Sequence, residues 1–173
     1  SEFKIGFALG SVRPLLEDDK FFDDFNVREL IGFDRPFFAN IGIAQLEELL
    51  EQNKIDRLHH VVERLKCDGI IVHINPMQEW LQPEGDRFKK SPLETLSEFL
   101  IAKEYPIIVK EVGQGMGRLS LKALLDLKVD AIELAGFGGT NFAKLETIRN
   151  ERLNNLNSSK SLIYQGHTPE EMI

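Results

Sequence analysis

One cysteine, Cys67, stands in a chain of 173 residues, so no disulfide can form within it. A reducing compartment fits such a chain, and at this length a core needs no covalent staple. Basic side chains are the minority, 21 Lys and Arg against 28 Asp and Glu, giving a formal charge of −7 and a pI near 5.2. That balance argues against nucleic acid or an anionic membrane as the main partner. No apolar run approaches the roughly 20 residues needed to span a bilayer. Ser1–Gly10 also lacks the long apolar stretch of a secretory signal, with Glu2 near its start. These absences lead to the expectation of one soluble, cytoplasmic domain over residues 1–173. What is present agrees: 42% apolar and 28% charged residues is the balance of a globular chain.

Short apolar runs recur. They are Ile5–Leu9, Pro36–Ala39, Gly69–Val72, Pro106–Val109 and Ala131–Ala135, with starts 31, 33, 37 and 25 residues apart. Runs without two-residue alternation suit strands buried on both faces, and the spacing leaves room for a helix between neighbours. Leu58, Val61, Val62 and Leu65 keep the spacing of one helical face. Ser91-Pro92-Leu93-Glu94 is a capping box leading into Leu96, Phe99 and Leu100. Ser120 is expected to cap a helix through Ala123, Leu124 and Leu127, and Phe142, Leu145 and Ile148 mark another. Asn154–Lys160 reads as a polar loop. Consecutive βα units imply an α/β protein, either a doubly wound sheet or a barrel. Gly166 to Glu171 opens a further capped helix that Ile173 cuts short, and five strands are three fewer than close a (β/α)8 barrel. An incomplete chain is expected.

Ligands of α/β folds sit at the carboxyl ends of the strands. The residues there are Gly10-Ser11-Val12-Arg13, Asn40-Ile41-Gly42, His73 to Glu79, Lys110-Glu111-Val112-Gly113 and Gly136 to Thr140. All five are polar or rich in glycine. Arg13 and Lys110 are cations, Glu79 and Glu111 carboxylates, and the glycines let backbone N–H groups approach an anion. The set suits a phosphorylated ligand with a divalent cation.

Each residue also has a plainer role open to it. His73 fits a core histidine, Asn40 a turn, Gly138-Gly139 a hinge, Lys110 an ion pair with Glu111, and Glu79 a favourable charge at a helix start. His59 and His60 read as structural, Asp23-Asp24 and Glu47–Glu51 as solvated faces, and Phe21, Phe22, Phe25, Phe37 and Phe38 as core or interface aromatics.

The stretch His73-Ile74-Asn75-Pro76-Met77-Gln78-Glu79, continued by Gln82-Pro83-Glu84-Gly85-Asp86, resembles the signature of type 2 isopentenyl diphosphate isomerases. Gly10 to Arg13, Asn40, Val109 to Gly113 and Gly138-Gly139-Thr140 resemble that family in its order. The resemblance implies a (β/α)8 TIM barrel, of which about five βα units are present. It further implies FMN, Mg²⁺, NAD(P)H as reductant of the flavin, and interconversion of isopentenyl and dimethylallyl diphosphate. By the same resemblance Ser11, Asn40, Lys110 and Thr140 contact FMN; Ser11, Arg13, His73, Asn75 and Gln78 line the substrate; Glu79 holds Mg²⁺. Gln78 is the catalytic candidate, orienting or relaying a proton, and a homo-oligomer, tetramer or larger, is implied. Arg13, His73 and Mg²⁺ would balance the diphosphate charge, and Met77 and Trp80 are candidates for an apolar slot.

The family's N-terminal basic segment, first barrel strand and later glycine-rich strands have no counterpart here. A piece of this length is expected to bind flavin poorly and to turn over nothing by itself. Two other readings stay open: another FMN barrel enzyme, such as a hydroxy-acid oxidase or dihydroorotate-dehydrogenase relative, and a catalytically inert fragment acting as an assembly module.

Overall fold

A computed structural model describes residues 5–82, 85–152 and 162–173. Strand β1 (Phe7–Ala8) leads into the short helices α1 (Arg13–Glu17), α2 (Phe22–Phe25) and α3 (Arg28–Ile31). Then come β2 (Phe37–Gly42), α4 (Ile43–Glu51), α5 (Ile55–Arg64), β3 (Gly69–His73), α6 (Pro76–Leu81) and α7 (Pro92–Ile101). The chain continues through β4 (Ile107–Lys110), α8 (Arg118–Asp126), β5 (Ala131–Glu133), α9 (Phe142–Arg152) and α10 (Pro169–Met172).

The five strands pair in parallel in the order β1-β2-β3-β4-β5. Sequential order is that of a half-barrel and lacks, among the described strands, the reversal at a switch point that marks a doubly wound sheet. Successive right-handed crossovers of one sense put the connecting helices on one face. Burial agrees. Ile41, Ile70, Val72, Ile107 and Val109 are wholly buried and cluster with Leu46, Leu58, Leu65, Leu96 and Phe99 of the helices. The alternate residues Phe38, Asn40, His73, Ile108 and Lys110 share the opposite face and are only half-buried.

Local chemistry explains several elements. In α7 the Ser91 hydroxyl accepts from the Glu94 N–H at 3.3 Å, and the Glu94 carboxylate accepts from the Ser91 N–H at 2.8 Å. The helix carries Phe99 into the core with no exposure. Phe99→Ala is expected to destabilise the fold by about 3–5 kcal/mol, measured by urea unfolding. Arg28, only 4% exposed, forms a two-pronged ion pair with Asp68 at 3.1 Å and donates to the Arg35 carbonyl at 2.9 Å. Asp68 also accepts from the Phe37 N–H at 2.8 Å, so the pair clamps α3 against the start of β2.

The structure corrects several expectations. Strand β2 extends to Gly42, so Asn40 lies within it rather than beyond it, and His73 and Lys110 are the last residues of β3 and β4. Helix α8 is capped by Gly117, with Ser120 inside its first turn. Leu145 and Ile148 are exposed at 51% and 39%; Ala143 and Glu146 are the buried positions of α9. Glu47 is not solvated: it is buried and accepts from the N–H groups of Lys89 and Lys90, tying α4 to the approach to α7. Phe21 is exposed, while Phe37 is core. Asn154–Lys160 lies outside the described residues.

Candidate functional site

The parallel register places Gly42, His73, Lys110 and Glu133 in one row across β2 to β5, on the face without helices and at the carboxyl ends. Asn40 lies one pleat below. Its amide nitrogen donates to the Leu9 carbonyl at 3.2 Å, which turns its oxygen toward His73 Nδ1 at 2.7 Å. That oxygen can only accept, so the His73 proton sits on Nδ1 and the Nε2 lone pair is left toward Gly42. Burial, and then the neighbouring Lys110 ammonium, push the His73 pKa down to about 4. His73 is therefore neutral at pH 7. The expectation of a cationic His73 balancing phosphate charge is corrected: it offers a polar ring, and the positive charge in the row is that of Lys110. The Lys110 Nζ donates to the Glu111 carbonyl at 2.8 Å.

A second group surrounds α6. Pro76 opens this helix after Asn75, and Glu79 falls in its first turn, where a carboxylate is favoured. Glu79 is buried; one oxygen accepts from the Asn75 amide at 2.7 Å and the other from the Asp86 N–H at 2.8 Å. Asn75, 4% exposed, has no partner for its own side-chain oxygen among the described residues. The Gln78 amide oxygen is 3.5 Å from the Asn75 nitrogen. Arg13 reaches the Asp86 carboxylate at 3.2 Å, and the Ser11 hydroxyl accepts from the Arg13 N–H at 3.3 Å. Gly85 is needed where it stands, because a Cβ there would collide with the Glu79 carbonyl.

Other candidates stand apart. Thr140 is exposed in the loop after β5, beside Gly138 with φ +122°, where a Cβ at Gly138 or Gly139 would meet open space. This loop borders a cavity of about 510 Å³ that Asn141 and Lys144 also line. One oxygen of the buried Glu111 carboxylate accepts from the N–H groups of Gly113, Gln114 and Gly115, tying it to its own loop. Trp80 is 54% exposed, while Met77 lines a largely apolar cavity of about 450 Å³ between α6, α7 and α8. Pro83 and Glu84 lie outside the described residues.

The structure thus brings Asn40, His73 and Lys110 together, and Arg13 and Ser11 together with Asn75, Gln78 and Glu79. Sequence reasoning missed Gln45, which is buried in α4, donates to Asp86, and lies over Gly42. The linear pattern carried no signal for it, because Gln45 shares its side of the helix with Glu48 and Gln52. Among the described residues no three His, Cys, Asp or Glu side chains gather to hold a metal ion. No helix among them is long and apolar enough to cross a membrane.

No family model matches the chain. It is 38% identical over 151 residues to a protein of Borrelia garinii subsp. bavariensis named isopentenyl-diphosphate delta-isomerase, covering 87% of this chain and 41% of that one. Proteins of the same name from Picrophilus torridus and Pseudescherichia vulneris are 38% and 39% identical over 88% and 83% of this chain, 43% and 40% of theirs. The chain spans about two fifths of the length of these curated relatives. Similarity of this extent, along most of the chain, relates it to the isopentenyl-diphosphate delta-isomerases.

Proposed function

We propose that this chain is the part of a cytoplasmic, type 2 isopentenyl-diphosphate delta-isomerase that carries the substrate-facing ends of a (β/α)8 barrel. The reaction is interconversion of isopentenyl and dimethylallyl diphosphate, with reduced FMN, Mg²⁺ and NAD(P)H as the flavin's reductant, in a homo-oligomer. The observation that carries this reading is the row of neutral His73 and cationic Lys110 on the open face, with Arg13, Asn75, Gln78 and Glu79 at the same strand ends.

The residues fit the groups. A lone buried Glu79 suits Mg²⁺, which keeps water and phosphate oxygens as most of its ligands. The open space at Gly138 and Gly139 suits close approach of an anionic cofactor group, with Thr140 beside it. Ser11, Asn40 and Lys110 would hold the remainder of FMN, Lys110 favouring an anionic reduced ring. Reduced FMN, when bound, supplies acid–base chemistry at the allylic carbons.

The chain's own groups then have separate tasks. Arg13 offers a guanidinium to a phosphate, and Ser11 fixes the turn that presents it. His73, neutral with its proton committed to Asn40, offers Nε2 as an acceptor without adding charge. Asn75 holds Glu79 and has a spare oxygen for a ligand. Gln78 orients or relays the proton; an amide is too weak an acid or base to move it alone.

The test uses the polypeptide that contains this chain. Isopentenyl diphosphate is incubated with dithionite-reduced FMN and Mg²⁺ in D₂O and followed by NMR. Deuterated dimethylallyl diphosphate is the expected product. Gln78→Ala is expected to lower kcat about 100-fold with a smaller change in KM. Unchanged turnover of that variant would remove Gln78 from the mechanism, and no product from the wild type would overturn the function.

A further inference from the structure

Asp86 joins Arg13, Gln45 and Glu79 in the polar network at the strand ends. Its carboxylate accepts from Arg13 Nη1 at 3.2 Å and from the Gln45 side-chain amide, while its main-chain N–H donates to Glu79 at 2.8 Å. Because the Gln45 nitrogen is turned to Asp86, its oxygen is turned the other way. That oxygen and His73 Nε2 converge on the space above Gly42, His73 Nε2 lying 2.9 Å from where a Cβ on residue 42 would be. A Cβ at residue 42 would collide with the Gln45 amide oxygen, so glycine there leaves room for Gln45 to reach Asp86. Three elements distant in sequence, the start of α1, α4 and the segment after α6, are joined through one carboxylate.

The geometry leads us to propose that Asp86, with Gln45 as its spacer, is a positioning residue that sets Arg13 for a diphosphate and keeps it in register with Glu79. Arg13 is half exposed at 51%, so without a partner its long side chain would sample many rotamers, and ordering it would oppose ligand binding. Asp86 holds the guanidinium by one nitrogen, leaving its other donors for phosphate oxygens. Its hold on Glu79 runs through the main chain and survives side-chain replacement. The proposal rests on the reading of Arg13 as a diphosphate-facing group.

The test is a double-mutant cycle with magnesium pyrophosphate as the probe, titrated calorimetrically into the polypeptide that contains this chain. Asp86→Ala is expected to weaken binding about tenfold, and Asp86→Asn, which keeps one acceptor oxygen, by less. In an Arg13→Ala background the same Asp86→Ala change is expected to cost no more than about twofold, because there is no guanidinium left to position. An equal loss in both backgrounds would show a merely structural role and overturn the proposal, as would unchanged binding by Asp86→Ala. Circular dichroism identifies a variant that fails to fold, in which case Asp86→Asn carries the cycle. Wild-type chain that takes up no magnesium pyrophosphate overturns the diphosphate reading of the site, and the proposal falls with it. Binding by the wild type with no coupling overturns the proposal alone.

Discussion

Glu111→Ala is expected to destabilise the protein by about 3–5 kcal/mol, because one buried carboxylate oxygen holds three consecutive N–H groups in the loop after β4. The loop cannot replace it from within. Gly113 has φ +123° and its Cα faces the Thr140 carbonyl so closely that no side chain fits, and Gly115 has φ +71° against the His167 carbonyl. Removing the carboxylate leaves the N–H groups of Gly113 and Gln114 without their acceptor, while Gly115 keeps its bond to the Ala135 carbonyl at 3.0 Å. Glu111→Gln should cost about half as much, since a single amide oxygen can take the place of the one carboxylate oxygen that accepts all three bonds, losing only the charge assistance. Urea unfolding measures both, and amide exchange at Gly113 and Gln114 should rise first. Equal costs for the two substitutions would mean that the charge, not the oxygen's position, holds the loop.

The second large effect is on pH. His73 titrates near 6.5 when unfolded and at about 4 when folded. Between these values the unfolded chain binds a proton that the folded one refuses, so lowering the pH favours unfolding. The stability that depends on neutral His73 is fully present above about pH 6.5 and is lost progressively toward pH 4. The difference corresponds to about 3 kcal/mol. His73→Gln keeps a donor for Asn40 and cannot titrate. The gap in unfolding free energy between wild type and this variant is expected to shift by about 2 kcal/mol from pH 7 to pH 4.5, other acid-sensitive groups cancelling in the comparison. A constant gap would mean that His73 is hydrated enough to protonate in place.

Much of this architecture was legible in the sequence for physical reasons. Strands buried against helices must be apolar, and Gly69–Val72 and Pro106–Val109 announce themselves as such. Ser91 to Glu94 is a local code for a helix start, and the structure has both reciprocal bonds. The strand-end rule located Arg13, His73, Asn75, Glu79 and Lys110 without any knowledge of contacts. Tertiary effects were hidden. Glu47 looked like one acid among several on an exposed helix, yet it is buried by the two amides it receives from Lys89 and Lys90. Leu145 and Ile148 kept helical spacing, but spacing says which residues share a face and not whether anything covers it. Glu111 had the residue type of a metal ligand, and only the loop geometry shows one of its oxygens holding three backbone donors. His73 was placed one residue from its position at the end of β3, but its charge depends on burial and on Lys110 across the strand, which no linear pattern encodes.

In the proposed function the helix-free face at the carboxyl ends of β2 to β4 receives the flavin and the diphosphate. Amide NMR on the polypeptide that contains this chain, titrated with FMN and then with magnesium isopentenyl diphosphate, tests this most directly. The largest shifts are expected on Asn40, His73, Gln78, Glu79 and Lys110, with His73 keeping its Nδ1 proton. Shifts confined to the cavity between α6, α7 and α8, or none in the row of His73 and Lys110, would contradict it.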